Sequence, residues 1–446
     1  MSGGVKVRFG VERFEVAQAI KRRRSVLAVC GPVARAVLLS VIIMSGGEVS
    51  AQTSLPPIVT EGDAALRPWR RYADPSWPTT DFSKFNTLAD ASLSPPAPKQ
   101  PRKPSGPVTG DPANGQKLVA DRTRGGSCLA CHVMGPAGGA DLPGNVGPDL
   151  SEIGNAGRGD EWLLNYVYDA RVYNPQTVMP PWGAHGVFND REIGDILAFL
   201  KTLKAPAKFN SDLDDPNKRP TPVESRDNLD VLDNPGMWAV DKAPALWGSA
   251  GPSGVSCANC HTKPDETLTR WAASMPKWEP RLGKVLGVEE FIARHAMATT
   301  GNTWLMQSDE NTALAVYLRY LSKDIPITVD ITSPPAKEAY ERGKALTQRR
   351  IGQLNFACVD CHASEKGALK WIRGQWLGEF RGQLDHFPTW RTSRQSIWDI
   401  RKRFQWCAVA IGSNELPPDA KEYGDLELYL AAQNAGLKLS VPGIRH

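Results

Sequence analysis

Three stretches of the chain carry apolar residues at helical spacing, and each contains an aromatic residue followed by leucine. Ile193, Ile196, Leu197 and Leu200 stand at i, i+3, i+4 and i+7; Leu314, Tyr317, Leu318 and Leu321 repeat the spacing; Leu426, Tyr429 and Leu430 begin it a third time. Such a stripe predicts an amphipathic helix with one buried face. On spacing alone these are equally ordinary core helices. Between them the pattern lapses. Residues 52–107 are rich in Pro, Ser and charge, and residues 205–225 lack any apolar period, so an irregular arm and a linker are expected there.

What singles the helices out lies upstream of each. Cys128/Cys131/His132, Cys257/Cys260/His261 and Cys358/Cys361/His362 are three Cys-x-x-Cys-His units, 67, 56 and 67 residues from motif histidine to the aromatic Phe199, Tyr317 or Tyr429. One Cys-x-x-Cys pair is compatible with a disulfide or a zinc site. Three copies, each followed at once by histidine, point to covalent c-type haem, with both thiols bonded to the porphyrin and the histidine on the iron. The expected fold is mainly α: three cytochrome c-type haem domains in tandem with long irregular linkers, over 108–204, 226–325 and 326–446.

Composition narrows the rest. With 41% hydrophobic and 23% charged residues, the 446-residue chain is not wholly disordered, and a net charge of +5 is too mild to argue for nucleic acid. Lys21 to Arg24, the apolar run Ala36 to Met44 and Val49-Ser50-Ala51 read as an export signal over residues 1–51, with Cys30 leaving in it. No segment is expected to insert stably into a membrane. Covalent haem attachment agrees with export, so a periplasmic location is expected.

The second iron ligands follow from the repeat. Met179, ahead of Pro180-Pro181, lies 20 residues before Phe199, and Cys407 lies 22 before Tyr429. In the middle repeat His295 lies 22 before Tyr317 and Met297 lies 20 before it. His295 is favoured because it shares the Cys407 offset, and Met297 stays open as the alternative. Cys407 is a lone thiol in an oxidising compartment, which suits a ligand or a reactive sulfur. Arg391, Arg394, Arg401, Lys402 and Arg403 surround it against Asp399 alone. That run is either a solvated helix face or an attractor for a small anion. His185, His386 and His446 have no positional argument and are expected to be solvated.

Several of these segments resemble the SoxAX cytochromes of bacterial thiosulfate oxidation, with SoxX-like and SoxA-like parts fused in one chain. The SoxX-like part, 108–204, holds Gly110-Asp111-Pro112, Cys128-Leu129-Ala130-Cys131-His132, Gly144-Asn145-Val146-Gly147-Pro148 and Val178-Met179-Pro180. The SoxA-like part, 226–446, holds Asn234-Pro235-Gly236-Met237, Gly352-Gln353-Leu354-Asn355, Pro388-Thr389-Trp390-Arg391 and Leu426-Glu427-Leu428-Tyr429-Leu430. The resemblance implies an L-cysteine S-thiosulfotransferase that couples thiosulfate to a cysteine of the carrier SoxYZ. Two electrons would pass through three haems c to an acceptor cytochrome c. It implies that Cys407 is the active-haem ligand, carried as a persulfide in the family, with Arg403 beside it as the other catalytic residue. Two positions depart from the family pattern: Gly412 stands where a further arginine is usual, and His295 where a cysteine ligand is usual. A triheme electron carrier without catalysis, or a tetrathionate-forming thiosulfate dehydrogenase, are the competing readings.

Overall fold

The computed structural model describes residues 55–66, 81–104, 106–135, 142–222, 229–230 and 232–445. The expected export signal with Cys30, and His446, lie outside them. Within them the chain is mainly helical, and the three helices predicted from periodicity are present.

In the first repeat α1 (Pro112–Ala120) opens, α2 (Asp160–Asp169) follows the haem motif, and α3 (Asp190–Thr202) closes. Asn189 and Glu192 form a reciprocal capping box at the start of α3. The second repeat runs α4 (Trp238–Gly248), α5 (Cys257–Cys260), α6 (Pro264–Thr267), the antiparallel hairpin β1 (Lys277–Glu279) and β2 (Lys284–Leu286), then α7 (Val288–Thr299) and α8 (Asp309–Leu321). The third runs α9 (Pro334–Gln348), α10 (Cys358–His362), and the hairpin β3 (Lys370–Ile372) and β4 (Gln375–Leu377). A second hairpin there, β5 (Thr389–Arg391) and β6 (Ser396–Trp398), leads to α11 (Ile400–Ala410) and α12 (Lys421–Gln433). The last strand, β7 (Gly443–Arg445), pairs in parallel with β5 and places Arg445 opposite Arg391.

Each repeat packs its opening helix on its closing one. The aromatic-leucine pair sits at that crossing for a steric reason. A Cβ on Gly115 of α1 would lie 2.0 Å from the Asp195 carbonyl oxygen and 2.8 Å from Phe199 Cβ on α3. One on Gly343 of α9 would lie 2.1 Å from the Asp425 carbonyl oxygen and 3.0 Å from Tyr429 Cβ on α12. Glycine therefore lets the two backbones touch. In the middle repeat Ala239 and Ala243, both fully buried, line the same face of α4.

The segments expected to be loose connections are irregular but docked. Phe85 and Leu88 of the arm are buried, and Arg102 forms an ion pair with Asp190 of α3 at 2.5 Å. In the 205–225 stretch Arg219 donates to the Leu213 carbonyl and stacks its guanidinium over Trp371 of β3, 4.8 Å from the ring centroid. The first and third repeats share a core, in which Leu354 packs among Leu118, Trp182 and Ile196. Among the described residues no helix is long and apolar enough to cross a membrane.

Candidate haem sites and an arginine-lined cavity

The three Cys-x-x-Cys-His motifs form short helical turns, so each pair of thiols and the following imidazole project from one turn. The thiols are free: among the described residues no cysteine is in a disulfide. Nor do any three His, Cys, Asp or Glu side chains of the described residues converge as a protein-only metal cluster would require. What the structure shows instead is one facing pair, His261 and His295, and one cavity shared by the other two motifs.

Three histidines have the geometry that metal ligation would require. His132 Nδ1 lies 2.7 Å from the Pro148 carbonyl oxygen, His362 Nδ1 2.7 Å from that of Gly378, and His295 Nδ1 2.7 Å from that of Pro57. A carbonyl can only accept, so each Nδ1 carries the proton and Nε2 keeps its lone pair. Burial holds all three imidazoles below their ordinary pKa, which keeps them neutral. Gly147 explains one cradle, since a Cβ there would lie 2.3 Å from the His132 ring.

His261 and His295 face each other with ring centroids 6.1 Å apart. That span is too wide for contact and admits one metal ion at about 2 Å from each nitrogen. Met297 is two residues further along α7, which turns it to another face of the helix than His295. Trp247 and Phe291 flank the histidine pair. Cys260 of this motif is exposed.

The other two motifs open into one cavity of about 1560 Å³ lined by Cys128, Cys131, His132 and Met179 and by Cys358, Cys361, His362 and Cys407. It exceeds the roughly 300–1,000 Å³ of a pocket for a single drug-sized ligand. Burial pushes the Cys128 and Cys358 thiols up to about 12 and Cys131 to about 11. Cys361 is raised by burial first, then by Cys407 and Cys131, so the two motifs meet at Cys131 and Cys361. The ligand pairs, the paired thiols and this volume fit haem c.

Arg403 and Arg391 line the same cavity. Arg403 Nη1 and Arg391 Nε are buried and have no hydrogen-bond partner. Burial and the adjacent Arg403 push Arg391 down to about 10, opposed by Cys407; Arg445 and Arg394 add to the downward push. Three guanidinium groups thus act on Arg391 beside a thiol, and at neutral pH Arg391 is still charged. The basic run is accordingly not one solvated face. Arg401 is 1% exposed and turned away, bonded at 2.8 Å to both Glu427 and Glu290. Arg445 had no signal in the sequence; only the parallel pairing of β7 with β5 brings it here.

Gly412 has a structural reason. It ends α11 with φ +73°, and a Cβ there would lie 2.9 Å from Gln353 Cβ and 3.0 Å from Phe82. A side chain at this position would be strained and crowded. Two histidines correct the expectation that they are solvated. His185 is buried, with Nδ1 2.7 Å from the Gln353 carbonyl oxygen across the junction of the first and third repeats. His386 is buried beside Asp385, Nδ1 to Oδ1 3.1 Å, where the chain folds back toward β7.

Paired thiols, an adjacent histidine and a closing helix over an apolar cavity define a c-type cytochrome. The family model "SoxA/TsdA, cytochrome c domain" matches residues 242–327. SoxA of Paracoccus pantotrophus, an L-cysteine S-thiosulfotransferase subunit, is 30% identical over 219 residues, 49% of this chain and 73% of that protein. The SoxA subunits of Pseudaminobacter salicylatoxidans and Rhodovulum sulfidophilum are 29% and 27% identical, covering 50% and 54% of this chain and 78% and 90% of theirs. The crystal structure of SoxXA from P. pantotrophus aligns with TM-score 0.45 at 28% identity, over 48% of this chain and 80% of that one. The chain belongs to the SoxA family of L-cysteine S-thiosulfotransferase subunits.

Proposed function

We propose that the chain couples thiosulfate to a cysteine thiol of a SoxYZ carrier in the periplasm, as a fusion of SoxX-like and SoxA-like parts carrying three haems c. The residues that would hold them are His132 with Met179, His261 with His295, and His362 with Cys407. The observation that carries the reading is the pair of orphaned buried N–H groups on Arg391 and Arg403 beside Cys407. A buried donor left unpaired costs about 1–3 kcal/mol, and a sulfonate oxygen would repay it.

Bound haem supplies one-electron acceptance and an outward path to an acceptor cytochrome c. The chain's own residues do the rest. Arg391 and Arg403 hold the sulfonate end of thiosulfate so that its outer sulfur meets Cys407 Sγ. Formation of that sulfur–sulfur bond releases two electrons. The carrier thiol gives up its proton and its thiolate attacks the outer sulfur, displacing Cys407 as thiolate and leaving the carrier as its S-thiosulfonate. Mass analysis of the carrier tests this. Cys407→Met should leave the carrier unmodified, and near-full modification by that variant would overturn the reading. Intact mass of the mature chain counts the haems; fewer than three would remove a repeat from it.

A further inference from the structure

Residues 55–66 lie upstream of all three motifs, yet they are built into the middle repeat. The Pro57 carbonyl accepts from His295 Nδ1 at 2.7 Å. Two residues on, Val59 N–H donates to the Arg294 carbonyl at 3.2 Å, and Arg294 Nη1 donates back to the Val59 and Gly62 carbonyls at 3.3 Å each. The far end is fastened twice: Ala64 N–H donates to Asp419 Oδ2 at 3.1 Å, and Ala65 bridges Met306 in parallel. Ala64, Ala293 and Met306 form a small buried cluster beneath it. Arg294 is itself buried and held by Glu290 at 3.1 Å. This strap thus reaches the helix that carries His295 at two consecutive residues, once by side chain and once by backbone.

We propose that the 55–66 strap is part of the second haem site, with the Pro57 carbonyl as the positioning group for the His295 ring. This rests on the reading of His295 as that haem's ligand. A carbonyl on Nδ1 fixes the tautomer, stops the ring turning and makes Nε2 a stronger donor to iron. A stronger donor favours the ferric state and lowers the potential. The Pro56-Pro57 pair suits the task, since proline fixes its own φ and constrains the residue before it. The second haem is thereby tuned by a segment that no SoxA-like motif contains.

The test is a holoprotein whose mature chain begins at Val59, which keeps the Arg294, Asp419 and Met306 anchors and removes Pro57. Loss of an outer-shell partner typically weakens a metal–ligand bond roughly 10–100-fold. Added imidazole should therefore displace His295 at roughly 10–100-fold lower concentration than in the full chain. Where the loss falls on the ferric state, each tenfold raises the second potential by about 59 mV. The other two haem spectra should not move. A second variant, Val59→Pro, keeps the strap's length and removes the bond to Arg294, and should shift both readouts the same way by less. Unchanged imidazole titration and potential in both variants would overturn the proposal. His295→Ala separates the two readings. If it leaves the second haem spectrum intact, His295 is not the ligand; if it disrupts that spectrum while the strap variants change nothing, the strap proposal alone fails.

Discussion

His295 and Cys407 occupy the same place in two helices: each is the eighth residue of its helix, α7 beginning at Val288 and α11 at Ile400. Both helices follow a two-stranded hairpin with tryptophan at its centre, Trp278 in β1 and Trp390 in β5, and both residues lie 17 positions after that tryptophan. Met179 has no such setting. It sits in a loop before Pro180, so the first repeat would present its proposed ligand differently from the other two.

The equivalence makes a spectroscopic prediction. His295→Ala should convert the second haem from low-spin, and Met297→Ala should not, because the two side chains leave α7 on different faces. Electron paramagnetic resonance of the ferric protein checks it. The opposite pattern would assign the iron to Met297.

Arg391→Gln and Arg403→Gln should each raise KM for thiosulfate. A hydrogen bond to a charged group contributes about 1.5–3 kcal/mol, so roughly tenfold to a hundredfold is expected. Because Arg391 is pushed down only to about 10, its charge is lost as pH rises through that value and is constant below it. KM should then be flat from about pH 6 to 8, as steady-state kinetics can show.

Cutting the chain within 206–222 should cost little activity, even on dilution. A flexible tether would act through effective concentration, but the first and third repeats also hold each other directly. Trp371 N–H donates to Asn145 Oδ1 at 2.8 Å, Asn145 N–H to the Trp371 carbonyl at 3.1 Å, and Gln353 Nε2 to the His185 carbonyl at 3.1 Å. Leu354 fills the first repeat's core. Coupling rates of nicked protein over a roughly 100-fold dilution check this; a fall with dilution would return the task to the linker.

Arg401→Met should destabilise the protein by about 3 kcal/mol, because it takes from buried Glu427 its hydrogen-bonded partner and leaves Arg319 at 3.6 Å, whereas Glu290 keeps Arg294 and Lys284. Burial already raises the pKa of Glu427, with Arg401 the largest opposing influence. Without Arg401 the folded value rises further. A carboxyl raised in the folded state stabilises below its unfolded pKa and loses that contribution as pH climbs toward the folded value. Thermal unfolding of the variant should be worse at about pH 8 than at about pH 5.

The mainly helical fold and the three thiol-histidine motifs were legible because both depend on residues close in sequence. The offset shared by His295 and Cys407 has its counterpart in a hairpin-helix unit common to the two repeats, which the apolar period did not reveal: three-residue strands are too short to show alternation. Burial of His185 and His386 was illegible for another reason. His185 is covered by Gln353 and Phe85, residues far away in the chain. Arg401 and Arg403 are two positions apart and look alike in sequence. Their opposite fates, one locked to Glu290 and Glu427 and one left with a free donor, depend on which face of α11 meets the core.

The hairpin β3–β4 lies across the first haem motif. Arg373 N–H donates to the Ala130 carbonyl at 3.1 Å, and Arg373 Nη2 reaches the Gly125 carbonyl at 3.1 Å, while Cys128 is buried. Were haem joined to Cys128 and Cys131, as proposed, those thiols would have to be uncovered at the time. The proposed maturation would then have an order: the first motif would be loaded before the third repeat closes over it. Synthesis from the N-terminus would meet that schedule without further control, because the hairpin is made more than two hundred residues after the cysteines it covers.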